Sequence, residues 1–142
     1  MKLLPTAHWI EGDIFDKSIW DNILDQYGKI DCIISNPPFG KISKSDSNRN
    51  WLKYTGAEID IASIEVALKH NDNVSMILPA NSCTFSYSGM PYYQDRENKK
   101  IEKLKKETGL SFVMCNPGID TTAYSQFKNT KITVEHVDFI VE

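Results

Sequence analysis

Residues 36–40 read Asn-Pro-Pro-Phe-Gly and directly follow the apolar run Cys32-Ile33-Ile34-Ser35. Each residue type there suits one task. Pro37 and Pro38 have no backbone N–H and a fixed φ, so they stiffen the segment and stop it pairing as sheet, leaving neighbouring carbonyls free to face a cleft. The Asn36 side chain adds a second carbonyl acceptor, and two acceptors aimed at one spot receive an –NH2 group. Phe39 offers a flat face on which a planar ring stacks. The chemistry implied is capture of a planar amino group. Lys41, Lys44, Arg49 and Lys53 follow at once, a local basic cluster suited to phosphate.

The elements around the motif alternate. Thr6 to Ile10 reads as a short strand, ended by the turn Glu11-Gly12-Asp13. In residues 16–28, Ile19, Trp20, Ile23 and Leu24 share one helical face, with Asp16 as N-cap and Gly28 as the stop. Residues 29–35 form a strand, 41–57 a long polar loop, and 58–70 a helix with Ile61, Ile64, Ala67 and Leu68 on one face. A strand over 73–79 closes at Pro79. After an irregular span, a helix over 99–109, a strand over 110–118 and a final strand over 131–142 complete the chain. That last run alternates Ile132, Val134 and His136, then Phe139 and Val141. The charges of residues 97–107 alternate in sign at helical spacing, as on a solvated helix face. Strands alternating with helices predict an α/β fold on a mostly parallel sheet, whose ligands sit at the carboxyl ends of strands. The motif falls at such an end.

At 142 residues the chain is long enough for one domain with a real core. Its 41% apolar and 25% charged residues are those of a soluble globular protein, with no run approaching a membrane span. No signal peptide is recognisable, so a cytoplasmic location is expected. The net charge of −3 argues against a broad nucleic-acid footprint, though local clusters remain. Cys32, Cys83 and Cys115 are odd in number and widely spaced, which predicts buried structural thiols rather than disulfides or a zinc pair. His8, His70 and His136 lack ligand spacing.

Asn36-Pro37-Pro38-Phe39 resembles the signature of the S-adenosylmethionine-dependent amino-methyltransferases, particularly the DNA adenine-N6 enzymes of restriction-modification type. The resemblance implies that Asn36 and the Pro37 carbonyl accept hydrogen bonds from the target amino group while Phe39 stacks on the base. It also implies that Asp13 and Ile14 contact the cofactor's adenine, although an Asp in a turn or helix cap is the plain alternative. Tyr124 or Phe127 would clamp the flipped base, and Lys41 and Lys44 would meet substrate. Residues 58–70 look like the helix after the catalytic loop, 74–82 like the fifth strand and its end, and 118–142 like the closing segment.

One departure is plain. The family holds the cofactor's methionine and ribose with a Gly-rich loop and a following acidic residue, whereas the seven glycines here are scattered and no GxG occurs. The expectation is a partial Rossmann-like methyltransferase fold, one truncated catalytic domain over residues 1–142. It would have a mostly parallel sheet, an antiparallel last strand, and the first two strands of the 3-2-1-4-5-7-6 order missing. S-adenosylmethionine would then be the cofactor, with an incomplete site. DNA would be a partner, and a homodimer or a complementing methyltransferase or specificity subunit another. A truncated relic and an inactive DNA- or protein-binding module are the alternatives, as are guanine-N2 of ribosomal RNA and a protein glutamine as methyl acceptors.

Overall fold

The computed structural model of the chain describes residues 6–41, 49–124 and 132–142. Helices and strands alternate within them: α1 (Lys17–Tyr27), β1 (Ile33–Ser35), α2 (Ile59–His70), β2 (Val74–Pro79), β3 (Phe85–Ser86), β4 (Gln94–Asp95), α3 (Lys99–Thr108), β5 (Phe112–Cys115) and β6 (Val134–Val141). Local chemistry sets the helix ends. Asp16 Oδ1 accepts the Ser18 N–H at 3.0 Å to start α1, and Gly28 ends it. Asn98 caps α3 by accepting from the N–H groups of Lys100 and Ile101, and Gly109 closes it. Caps of this kind each stabilise a helix by roughly 1 kcal/mol.

One sheet carries the fold, in the order β1-β2-β6-β5. β1 pairs parallel with β2, Ile33 facing Val74, while β6 runs antiparallel to both β2 and β5. Strands β1, β2 and β5 therefore share one direction and β6 opposes them. The chain is thus α/β with a mixed sheet and a reversed last strand. β3 and β4 form a separate hairpin within the span expected to be irregular.

Thr6 to Ile10 is not a strand. Trp9 and Ile10 are 61% and 52% exposed, and among the described residues no strand lies beside them to complete a ladder. An extended segment without a partner has no hydrogen bonds to hold it.

The core lies on one side of the sheet. Ile61, Ile64 and Leu68 of α2 and Ile101 and Leu104 of α3 join Val74, Met76, Leu78, Phe112 and Val137 in a single cluster. Burying each such side chain contributes about 1.5–3 kcal/mol. The residues of α3 that alternate in charge are its outer face, as expected. α1 buries no residue of its own and rests against α2 through Trp20, stacked on the His70 ring at 4.3 Å. Among the described residues the other side of the sheet is largely uncovered: Ile34, Ile140 and Val113 are 84%, 56% and 47% exposed.

Two expectations about facing change. In β6 the core receives Glu135 and Val137 as well as the expected Phe139, whereas His136 and Asp138 lie on the other side and Val134 is buried, so the expected face is broken at His136. A carboxylate tolerates position 135 because Tyr87 and Ser88 donate their N–H groups to it at 2.7 and 3.0 Å. The cysteines are free, but only Cys83 is buried, where burial pushes its thiol well above the ordinary range. Burial also raises the half-buried Cys115. Cys32 is exposed because it precedes β1 at the open edge of the sheet.

Among the described residues no helix is long and apolar enough to cross a membrane, and no cluster of three His, Cys, Asp or Glu side chains could hold a metal.

Candidate functional site

Asn36 begins where β1 ends, at the strand's carboxyl end. Pro37 is buried, while Asn36, Pro38 and Phe39 are exposed. Gly40 then turns the chain at φ 137°, a conformation that L side chains rarely adopt, and its carbonyl accepts the Ile59 N–H at 3.0 Å. Lys41 bridges Glu58 in the next step. The motif is thereby fastened to the start of α2.

Asn36 and Phe39 open onto different hollows. Asn36, with Ile34, Ser75, Ile77 and His136, lines a concavity of about 370 Å³ on the largely uncovered face of the sheet. Among the described residues nothing hydrogen-bonds its side-chain amide. Phe39 lines a smaller hollow of about 210 Å³ with Lys41, Glu58, Asp60, Asn81 and Lys100. For both to act on one planar ligand, that ligand must lie across Pro37 and Pro38.

The Phe39 hollow has an acidic wall. Asp60 is 3% exposed in the first turn of α2, where the helix dipole favours a carboxylate, and its Oδ2 accepts the Ser82 hydroxyl at 2.5 Å. Glu58 accepts the Tyr54 hydroxyl at 2.7 Å. Partial burial pushes the Glu58 pKa up, but the Tyr54 hydrogen bond, a backbone hydrogen bond and the charges of Lys100 and Lys41 outweigh it, so the carboxyl sits below its ordinary range. Tyr54 shifts the other way, raised first by burial and then by Glu58. A depressed carboxylate contributes stability that is present above its unfolded pKa and lost as pH falls through the folded one. Tyr54→Phe should therefore move Glu58 back up toward the ordinary glutamate value and narrow that acid-side loss; carboxyl-carbon NMR titration of both proteins reads the shift.

Behind this hollow, Glu65 holds the segment 49–57. Fully buried, it accepts the N–H groups of Lys53 and Tyr54, each at 2.9 Å, with Lys69 Nζ at 3.4 Å. Arg49 does not stand in a surface basic cluster as its sequence neighbours suggested. It is 8% exposed, donates from Nη2 to the Gly56 carbonyl at 2.7 Å, and lies 5.1 Å from the Phe15 ring centre.

Asp13 adopts the plain turn role, Oδ1 accepting the Phe15 N–H at 2.9 Å ahead of α1. Ile14 is 39% exposed and its carbonyl accepts the Trp20 indole N–H. Tyr124 is 51% exposed, after the one-turn helix Thr121–Ala123. Lys44 and Phe127 lie outside the described residues. Sequence reasoning missed Asp60, Ser82 and Lys100. No signal singled out Lys100, since Lys99 beside it stands in the same first turn of α3.

Comparison with protein-family models, with curated proteins and with solved structures finds no match to this chain.

Proposed function

We infer that the chain holds the target amino group in an S-adenosylmethionine-dependent methyltransferase acting on adenine N6 in DNA, the cofactor's remaining contacts coming from outside residues 1–142. The observation that carries this reading is Asn36-Pro37-Pro38-Phe39 at the carboxyl end of β1 with the Asn36 amide uncommitted. The sheet order supports it. In β1-β2-β6-β5 with β6 reversed, the strands follow the closing 4-5-7-6 part of the expected sheet.

The residues at hand do not fit the whole cofactor. No GxG occurs in the sequence, and one oxygen of Asp13 already accepts the Phe15 N–H. Residues beyond those described complete the cofactor site in this reading, and among the described residues the uncovered sheet face and the outer edge of β1 suit such an addition, since a free edge templates further pairing.

The work of this chain is positioning. An aromatic amine is a poor nucleophile because its lone pair is delocalised into the ring. Hydrogen bonds from its two N–H groups to Asn36 Oδ1 and the Pro37 carbonyl draw the nitrogen toward tetrahedral geometry and localise that pair. No general base is needed before attack. In a duplex the adenine must first leave the stack, which costs a few kcal/mol, and stacking on Phe39 offsets part of this.

The test is nucleoside mass spectrometry of DNA from a host free of N6-methyladenine that expresses the chain with its neighbouring genes. N6-methyladenine should appear. A methyl group found instead on ribosomal guanine or protein glutamine, or on nothing, would remove the adenine reading.

A further inference from the structure

The Phe39 hollow is graded in charge and depth. Its inner wall is acidic and buried: Asp60 is 3% and Ser82 2% exposed. Its outer wall is basic. Lys41 is exposed and Lys100 half-buried, and among the described residues neither makes a salt bridge, although both act electrostatically on Glu58. Lys100 also stands in the first turn of α3, where the positive end of the helix dipole disfavours a cation. Asn98 already caps that turn, so Lys100 contributes nothing to its hydrogen bonding by side chain. A half-buried lysine at the mouth of a hollow floored by carboxylates suits a ligand with an anionic outer end.

The volume narrows the ligand. About 210 Å³ is below the roughly 300–1,000 Å³ of sites for drug-sized molecules, so part of one nucleotide fits rather than a whole dinucleotide or cofactor. The acidic inner wall repels phosphate and accepts N–H groups, whereas the outer lysines attract phosphate.

We propose that the Phe39 hollow is the phosphate side of a nucleotide site, in which the base lies across Pro37 and Pro38 and stacks on Phe39 while Lys41 and Lys100 grip its phosphate. The inference rests on Phe39 being the stacking ring of the reading above, and it adds a phosphate-binding pair, one member of which belongs to α3, a helix remote from the motif in sequence. On a nucleic acid the same pair fixes the backbone beside the stacked base, in a position that carries no sequence information.

Adenosine and adenosine 5′-monophosphate separate the two layers. Titrated into the 15N-labelled chain at low salt, both should shift the amides around Phe39 and Gly40, the monophosphate binding roughly tenfold more tightly, as two charge-assisted contacts would give. Lys100→Gln and Lys41→Gln should each shrink that ratio while leaving adenosine binding unchanged, and 0.5 M salt, about a 4–5 Å Debye length, should shrink it too. Phe39→Ala should weaken both ligands alike. Equal affinity for the two ligands would overturn the phosphate pair and leave the stacking reading standing. Shifts with neither would overturn both, and monophosphate shifts confined to the outer face of α3, away from Phe39, would overturn the site as placed.

Discussion

Asn36→Ala is expected to lower adenine-N6 methyl transfer by about two to three orders of magnitude, the range seen when one preorganised hydrogen-bonding group of a polar transition state is removed. The folded state should not notice. The Asn36 amide is exposed and, among the described residues, hydrogen-bonds nothing, so the change in unfolding free energy should stay within about 0.5 kcal/mol. Asn36→Asp keeps an acceptor and should retain part of the rate, whereas Asn36→Leu should match Ala. The measurement is single-turnover methylation of adenine-containing DNA by the chain completed for cofactor binding, paired with urea unfolding of each variant. A rate loss accompanied by an equal loss of stability would assign Asn36 to the fold instead.

The second large effect is structural. Glu65→Ala removes a carboxylate that is fully buried and leaves the Lys53 and Tyr54 N–H groups without their acceptor. Leaving such donors unsatisfied costs about 1–3 kcal/mol each, so a total loss of roughly 2–6 kcal/mol is expected, read as a lower urea midpoint at unchanged slope. Glu65→Gln should lie between, since its one carbonyl can serve one N–H while its NH2 faces the other. The damage should spread to the site through Tyr54, whose hydroxyl holds Glu58. A loss under about 1 kcal/mol would mean that water replaces the carboxylate on the segment 49–57.

Most of the elements were legible because their causes are local. Asp16 and Gly28 bound α1, and Asn98 and Gly109 bound α3, through contacts within one turn. The α/β class followed from alternation alone, but alternation predicts a mostly parallel sheet, whereas β6 runs antiparallel to both of its neighbours. What failed to show were contacts between residues distant in sequence. An acidic residue in a helical or strand pattern reads as solvent-facing, yet Glu65 and Glu135 are core residues because backbone N–H groups from elsewhere reach them. The same blindness hid Asp60 and Ser82, which meet across 22 positions, and Lys100, which reaches the motif only in three dimensions. Thr6 to Ile10 failed for the opposite reason: its residues favour a strand, but among the described residues no neighbour pairs with it. The hairpin of β3 and β4 is too short, two residues a side, to leave a pattern.

Gly40 has a consequence for how variants of this loop are interpreted. At φ 137° its backbone lies in a region that L side chains rarely adopt, while a Cβ built there meets nothing within 4 Å among the described residues. Any genetically encoded replacement is therefore rejected by chirality and not by crowding, and a loss at this position says nothing about contact with a ligand. A residue of the opposite hand escapes the objection: D-alanine, introduced by chemical ligation, would keep the turn, fill open space and stiffen the step from the motif to α2.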